Sequence, residues 1–175
     1  GNTKKAKEIV RSSLELNPRN LLMNQFNFNL INNKIKDNLN CQNQSHVIAE
    51  IFYLTANALS SQSIYAFSNY YLNLAKYLNE EFHSYDTLLA ENFYKIDSFE
   101  EAKKIYDNLG KKGKAFKWHA SKQLAKIYIQ DGNKDKALEL VSKAYNNLAN
   151  KDIYETFDYA EFLKNNEKFE ESIPF

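Results

Sequence analysis

The sequence predicts an all-α protein built from repeated helical hairpins, and two observations support that class. Two series of small residues recur at steps of 34, 35 and 35, the second always twelve residues after the first. The series are Ala56, Ala90, Ala125 and Ala160, and then Ser68, Ala102, Ala137 and Ser172. The chain also has only four Gly and two Pro and lacks the period-two alternation of β-strands. Small side chains let two helices approach closely, so we expect hairpins that stack on their neighbours.

The composition limits the function classes. The chain has 23 basic and 22 acidic residues, so no global field attracts it to nucleic acid or to an anionic membrane. No apolar run approaches the roughly 20 residues that span a bilayer. Cys41 is the single cysteine, which excludes an intrachain disulfide. We expect a soluble protein, with the bacterial cytoplasm and the periplasm both open.

Both ends of the chain fall inside a repeat. Residues 1–6 mirror residues 132–137, which form the predicted turn of a later hairpin, and residues 169–172 match residues 99–102. We therefore interpret residues 1–18 as the second half of a truncated repeat and the chain as a fragment of a longer protein. Repeat ends that lack polar caps also predict self-association.

Residues 19–45 depart from the period. Apolar residues at Leu21, Leu22, Phe26 and Leu30 predict a helix, and residues 32–43 are polar and weakly patterned. The sequence predicts an irregular helix plus a loop. The loop has two open interpretations, a recognition element at one end of a groove or a spacer between repeats.

Residues 46–175 predict about three and a half hairpins that form one continuous solenoid. In the clearest hairpin, the spacing of apolar and small residues places them on one side of the first predicted helix. Gly132 is expected to end that helix, and a second helix is predicted after it. The residues that carry this pattern are Ser121, Leu124, Ala125, Tyr128, Gly132, Ala137, Val141 and Ala144. Equivalent positions occur in the hairpins before and after it.

This pattern resembles the tetratricopeptide repeat, whose two helices carry small and aromatic residues at these positions. Ala6, Val10, Ser13 and Pro18 also fit the second half of such a repeat, so the resemblance covers residues 1–18 and about 46–173. The chain departs from the family pattern because Pro is absent after the later repeats and Gly never fills the paired small site. The resemblance implies a right-handed superhelical solenoid from a longer bacterial protein, with a concave groove that binds a peptide or protein.

The residues give little support to catalysis. The histidines, His46, His83 and His119, fall in separate repeats without metal-ligand spacing. The chain has no glycine-rich phosphate loop and no G-x-S-x-G motif. We therefore expect no enzyme, no cofactor and no metal site.

The first helices of stacked hairpins line the groove, so their outward residues are the candidate contacts. Ten residues are the candidates for a peptide-binding groove: Tyr53, Asn57, Glu91, Tyr94, His119, Lys122, Lys126, Tyr154, Phe157 and Glu161. Glu50 falls at an equivalent outward position. We expect the aromatic residues to anchor a peptide and Lys122 and Lys126 to hold a carboxylate.

Two alternatives remain open. The chain is a purely structural segment of a larger bacterial protein, or, as a weaker alternative, it binds nucleic acid through the basic run Lys103–Lys126. Arg11 and Arg19 are the only arginines, which counts against dedicated phosphate or base recognition. We favour a non-enzymatic scaffold or adaptor.

Overall fold

The computed structural model describes residues 3–34, 40–148 and 151–175, and these residues contain helices but no strand. The predicted all-α class is therefore confirmed. Residues 35–39 of the predicted loop lie outside the described residues. The helices are α1 (Thr3–Leu16), α2 (Leu21–Ile31), α3 (Gln44–Ser61), α4 (Tyr65–Leu78), α5 (Ser84–Lys95), α6 (Phe99–Leu109), α7 (Lys114–Gln130), α8 (Lys134–Asn146), α9 (Ile153–Asn165) and α10 (Phe169–Ser172).

The chain divides into two compact units. The first unit contains α1, α2 and α7 to α10, and the second contains α3 to α6. In the second unit α3 packs on α4 and α5 on α6, and in the first unit α7 packs on α8 and α9 on α10. Adjacent helices therefore pack as a helical repeat requires. The continuous superhelical solenoid stays a prediction.

The paired small residues lie where the two helices of a hairpin meet. Three of the four pairs are fully buried: Ala56 with Ser68, Ala90 with Ala102, and Ala125 with Ala137. The Ser68 hydroxyl donates a 2.8 Å hydrogen bond to the Ala56 carbonyl, so these two helices touch at the small pair. Ala160 and Ser172 are only partly buried.

The turns inside the four hairpins share one backbone geometry. Each has a left-handed residue with φ between 57° and 77°, at Ser63, Asp97, Gly132 and Glu167. The amide of the following residue donates to the carbonyl five residues earlier, at 2.7 to 3.0 Å. This is the Schellman arrangement that closes a helix C-terminus. The four residues recur at steps of 34, 35 and 35, so the backbone keeps the repeat although glycine occurs in only one turn.

A buried polar network joins three helices of the second unit. Asn92 on α5 is fully buried, and its amide nitrogen donates to Ser68 Oγ at 2.7 Å and to Asn69 Oδ1 at 2.8 Å. Its amide oxygen accepts a 2.6 Å hydrogen bond from the Ser60 hydroxyl. Because the amide uses both donors and its acceptor, the burial of Asn92 is compensated and fixes α5 against α3 and α4.

We expect Asn92→Ala to lower the free energy of unfolding by about 2 to 4 kcal/mol, because it leaves buried polar partners unpaired. Urea unfolding followed by circular dichroism would measure this change. Asn73→Ala is the matched control, since Asn73 is exposed on α4, and its effect should stay within about 0.5 kcal/mol. Equal losses in the two variants would contradict a structural role for the network.

Candidate functional site

In the second unit, Tyr53 belongs to an aromatic cluster that joins α3 to α5. Its ring lies 5.4 Å from the Tyr85 ring and 6.2 Å from the Phe82 ring, and these two rings lie 5.1 Å apart. Tyr85 is buried, whereas Tyr53 and Phe82 are partly exposed. The cluster therefore holds the Tyr53 ring in place and leaves part of it accessible.

The carboxylates of Glu50 and Glu91 give this cluster a negative electrostatic environment. Burial raises the pKa of the Tyr53 phenol, and the charges of Glu50 and Glu91 raise it further. Burial raises the pKa of Glu50 itself, and its Oε2 atom is buried without a hydrogen-bond partner. An unpaired, desolvated carboxylate oxygen beside aromatic rings is an environment that attracts a cation.

The other candidates of this unit lie on the same two helices. Asn57 on α3 and Glu91 on α5 are exposed. Tyr94 is partly buried, and its ring lies 5.7 Å from the Phe99 ring. Burial raises the pKa of Tyr106, and the charge of Glu91 and the Tyr94 phenol add to that shift. Glu91 and the two tyrosines therefore belong to one electrostatic environment.

In the first unit, Asp158 on α9 forms ion pairs with two basic side chains. Its carboxylate accepts a hydrogen bond from the Lys122 ammonium group on α7. A guanidinium nitrogen of Arg19 lies 2.8 Å from the same carboxylate. The Asp158 side chain is only 10% exposed, whereas that of Arg19 is 52% exposed. Lys122, which we expected to hold the carboxylate of a peptide, contacts a carboxylate of its own chain, that of Asp158.

Arg19 also lies over two of the candidate aromatic residues. Its guanidinium carbon is 5.8 Å from the centre of the Tyr154 ring and 5.9 Å from that of the Phe157 ring. These distances are within the range of cation–π attraction. Tyr154 and Phe157 remain 42% and 56% exposed, so the arginine covers them incompletely.

Helix α2 brings Arg19 to this surface because it packs on α7. Asn20 begins α2, and its side chain accepts a 3.0 Å hydrogen bond from the Met23 amide. Further along α2, the side-chain Oε1 atom of Gln25 accepts a 3.0 Å hydrogen bond from the Ala115 amide, at the start of α7. A Cβ at Gly113 would lie 2.2 Å from the amide group of the Gln25 side chain, so a larger residue at this position would displace that side chain.

His119 lies on α7 beside the candidate lysines. Burial lowers its pKa to about 4, with smaller contributions from the positive charges of Lys122 and Lys126. The imidazole is therefore neutral at neutral pH. Lys126 and Glu161 are exposed.

The structure brings the candidates together in two groups. Tyr53, Asn57, Glu91 and Tyr94 lie on α3 and α5 of the second unit, and the other six lie on α7 and α9 of the first unit. Sequence reasoning missed Asp158, Arg19 and Phe82. No period predicts Arg19, because it lies in the irregular segment, and Asp158 is not at one of the groove positions that the register predicts for its helix.

Several lysines of the basic run pair with carboxylates. Lys103 lies 2.9 Å from Glu100, Lys114 lies 3.6 Å from Glu155, and Lys122 contacts Asp158. Pairing reduces the charge that these side chains can offer to a phosphate.

The residues that the structure describes contain no group of three His, Cys, Asp or Glu side chains placed to hold a metal ion. Over the same residues, no helix has both the length and the apolar character needed to cross a bilayer.

We expect Asp158→Asn to lower the free energy of unfolding by about 1 to 3 kcal/mol, because it weakens the attraction to two cations at a largely buried position. Chemical unfolding at low ionic strength would measure this change. Glu161→Gln, three residues later on α9 and exposed, should change stability by less than about 0.5 kcal/mol. If Asp158→Asn leaves the free energy of unfolding unchanged, the ion pairs of Asp158 do not stabilise the fold.

His119 should make stability fall between pH 6.5 and pH 4. The unfolded imidazole, with a pKa of about 6.5, binds a proton in this range, while the folded one stays neutral until about pH 4. The loss should reach at most about 3 kcal/mol and level off at lower pH. His119→Gln should remove this component, which urea titrations at several pH values would reveal, whereas the control His46→Gln should retain it. An unchanged pH dependence in His119→Gln would contradict the prediction.

Comparison with known proteins adds no family assignment: the chain matches no model of a known protein family, and no curated protein has a similar sequence.

Proposed function

We propose that this chain is a non-enzymatic scaffold or adaptor, a right-handed solenoid of tetratricopeptide-like hairpins that binds a peptide or protein along the first helices. The recurring left-handed turns and the buried small pairs support the repeat architecture. Stacked hairpins of this kind present their first helices as an extended binding surface.

The observation that carries the binding proposal is the environment of Tyr53. Its partly exposed ring is held by Phe82 and Tyr85, and the charges of Glu50 and Glu91 both act on it. An aromatic face and a carboxylate each attract a cation, and the attraction grows where water is partly excluded. A ligand with lysine or arginine side chains next to apolar residues therefore fits the α3–α5 surface best.

The α7–α9 surface is a weaker candidate for the same ligand class. Lys122 is paired with Asp158, and Arg19 covers part of Tyr154 and Phe157. A ligand there must displace contacts that the chain makes with itself. These internal contacts favour the alternative of a purely structural segment for that unit, whereas the paired lysines weigh against nucleic-acid binding.

A pair of fluorescein-labelled peptides of equal length tests the proposal. One peptide alternates lysine with leucine and tyrosine, and the other carries glutamate in place of lysine. Fluorescence anisotropy should show at least about tenfold tighter binding of the lysine peptide, equivalent to about 1.4 kcal/mol. The Glu50→Gln, Glu91→Gln variant should lose most of that preference, because it removes both negative charges.

Glu139→Gln is the matched control, since Glu139 is exposed on α8 of the first unit, and it should retain the preference. Thermal unfolding would verify that the double variant stays folded. Equal binding of the two peptides by the native protein, or an unchanged preference in the double variant, would reject the α3–α5 surface as the binding site and leave the structural role.

A further inference from the structure

The Arg19 guanidinium occupies a small site on the surface of α9. The walls of this site are the rings of Tyr154 and Phe157 and the carboxylate of Asp158, whose Oδ1 atom lies 2.8 Å from a guanidinium nitrogen. The three residues are spaced at i, i+3 and i+4, so their side chains share one side of the helix. A guanidinium is planar, weakly hydrated and able to stack on aromatic rings, and this combination of two rings and a carboxylate therefore suits it well.

Contacts that do not involve Arg19 hold these walls in place. The capping box of Asp152 and Glu155 fixes the first turn of α9, where the Glu155 amide lies 2.7 Å from Asp152 Oδ1. Lys122 of α7 pairs with the Oδ2 atom of Asp158, so it orients the carboxylate and leaves Oδ1 to a guanidinium. Both contacts remain when the Arg19 side chain leaves the site.

The Arg19 side chain can leave without unfolding the helix that follows it. Arg19 precedes Asn20, the residue that caps α2, and the Asn24 side chain donates a 2.7 Å hydrogen bond to the Pro18 carbonyl. These contacts anchor the backbone on both sides of Arg19. Its side chain is 52% exposed, and exposed ion pairs and cation–π contacts are individually weak. Rotation of this one side chain therefore opens the site at little cost.

We propose that Tyr154, Phe157 and Asp158 form a binding site for an arginine side chain of a peptide or protein partner, and that Arg19 is its internal competitor. The assignment rests on the proposed peptide-binding role but not on the α3–α5 surface, which belongs to the other unit. Arginine fits better than lysine, since an ammonium group is compact, strongly hydrated and not planar. The native chain binds a partner only while Arg19 is displaced, so its apparent affinity is reduced by the fraction of time that the site is open.

A nuclear magnetic resonance titration of the full chain with acetyl-argininamide tests the assignment, with acetyl-lysinamide as the matched ligand. In Arg19→Ala, the backbone amide signals of Tyr154, Phe157 and Asp158 should shift saturably, because the competing guanidinium is absent. The dissociation constant for acetyl-argininamide should be about tenfold lower than in the native chain. Acetyl-lysinamide should bind Arg19→Ala at least about threefold more weakly than acetyl-argininamide.

A second variant tests the aromatic wall without touching the buried carboxylate, on which stability depends. Adding Phe157→Ala to Arg19→Ala should weaken the binding of acetyl-argininamide by at least about fivefold, because one of the two ring faces is lost. Phe157 is 56% exposed, so the variant should fold normally. Adding Tyr77→Ala instead is the matched control, since Tyr77 is an 82% exposed aromatic residue on α4, and binding should not change.

Four results would each overturn the assignment. They are the absence of a saturable shift on α9 in Arg19→Ala, equal affinity for the two ligands, equal affinity in Arg19→Ala and the native chain, and undiminished binding after Phe157→Ala. Shifts confined to α3 and α5 would overturn it too, while leaving the α3–α5 surface as the binding site. The Glu50→Gln, Glu91→Gln variant should keep the shifts on α9, so failure of the α3–α5 surface is a separate result.

Discussion

The close contact of the two helices in each hairpin is the constraint on which the rest of the structure depends. A residue larger than Ala or Ser at Ala56 or Ser68 would hold the backbones apart, and the Ser68 hydroxyl could not then reach the Ala56 carbonyl. The same contact fixes where the turn must reverse the chain. Four turns adopt a left-handed residue at repeat intervals, and in three of them, at Ser63, Asp97 and Glu167, this conformation costs about 1 to 2 kcal/mol because the residue is not glycine.

The two units stabilise their helices with different polar devices. The second unit buries a neutral amide, Asn92, whose hydrogen bonds are all made inside the unit. The first unit places a carboxylate, Asp158, between two cations at a largely buried position. The uncharged Asn92 network does not neutralise the charged side chains near it, so those charges can act on a ligand. In the Asp158 cluster, the charged side chains neutralise one another. This difference separates the surface around Tyr53 from the surface around Lys122.

Different chemistry on different sides of one hairpin gives it two surfaces. On the α5 side, Glu50 and Glu91 give the Tyr53 region a negative potential that suits a cation. On the outer sides of α3 and α4, exposed residues such as Leu54 and Phe67 are apolar.

Periodic features of the chain were determined by the sequence alone. The spacing of small residues predicted helical hairpins and the buried positions of Ala56, Ala90 and Ala125, since each occupies the equivalent position of its own helix, where the partner helix of the hairpin approaches closely. The same register predicts an outward face that contains Tyr53 and Lys122, and this face stays a prediction. Only the tertiary structure decided that Arg19 reaches Asp158 and that Phe82 packs on Tyr53, because such contacts join segments far apart in sequence. The packing of α2 on α7 has the same origin: a non-local contact depends on how the chain returns in space, which a local pattern does not encode.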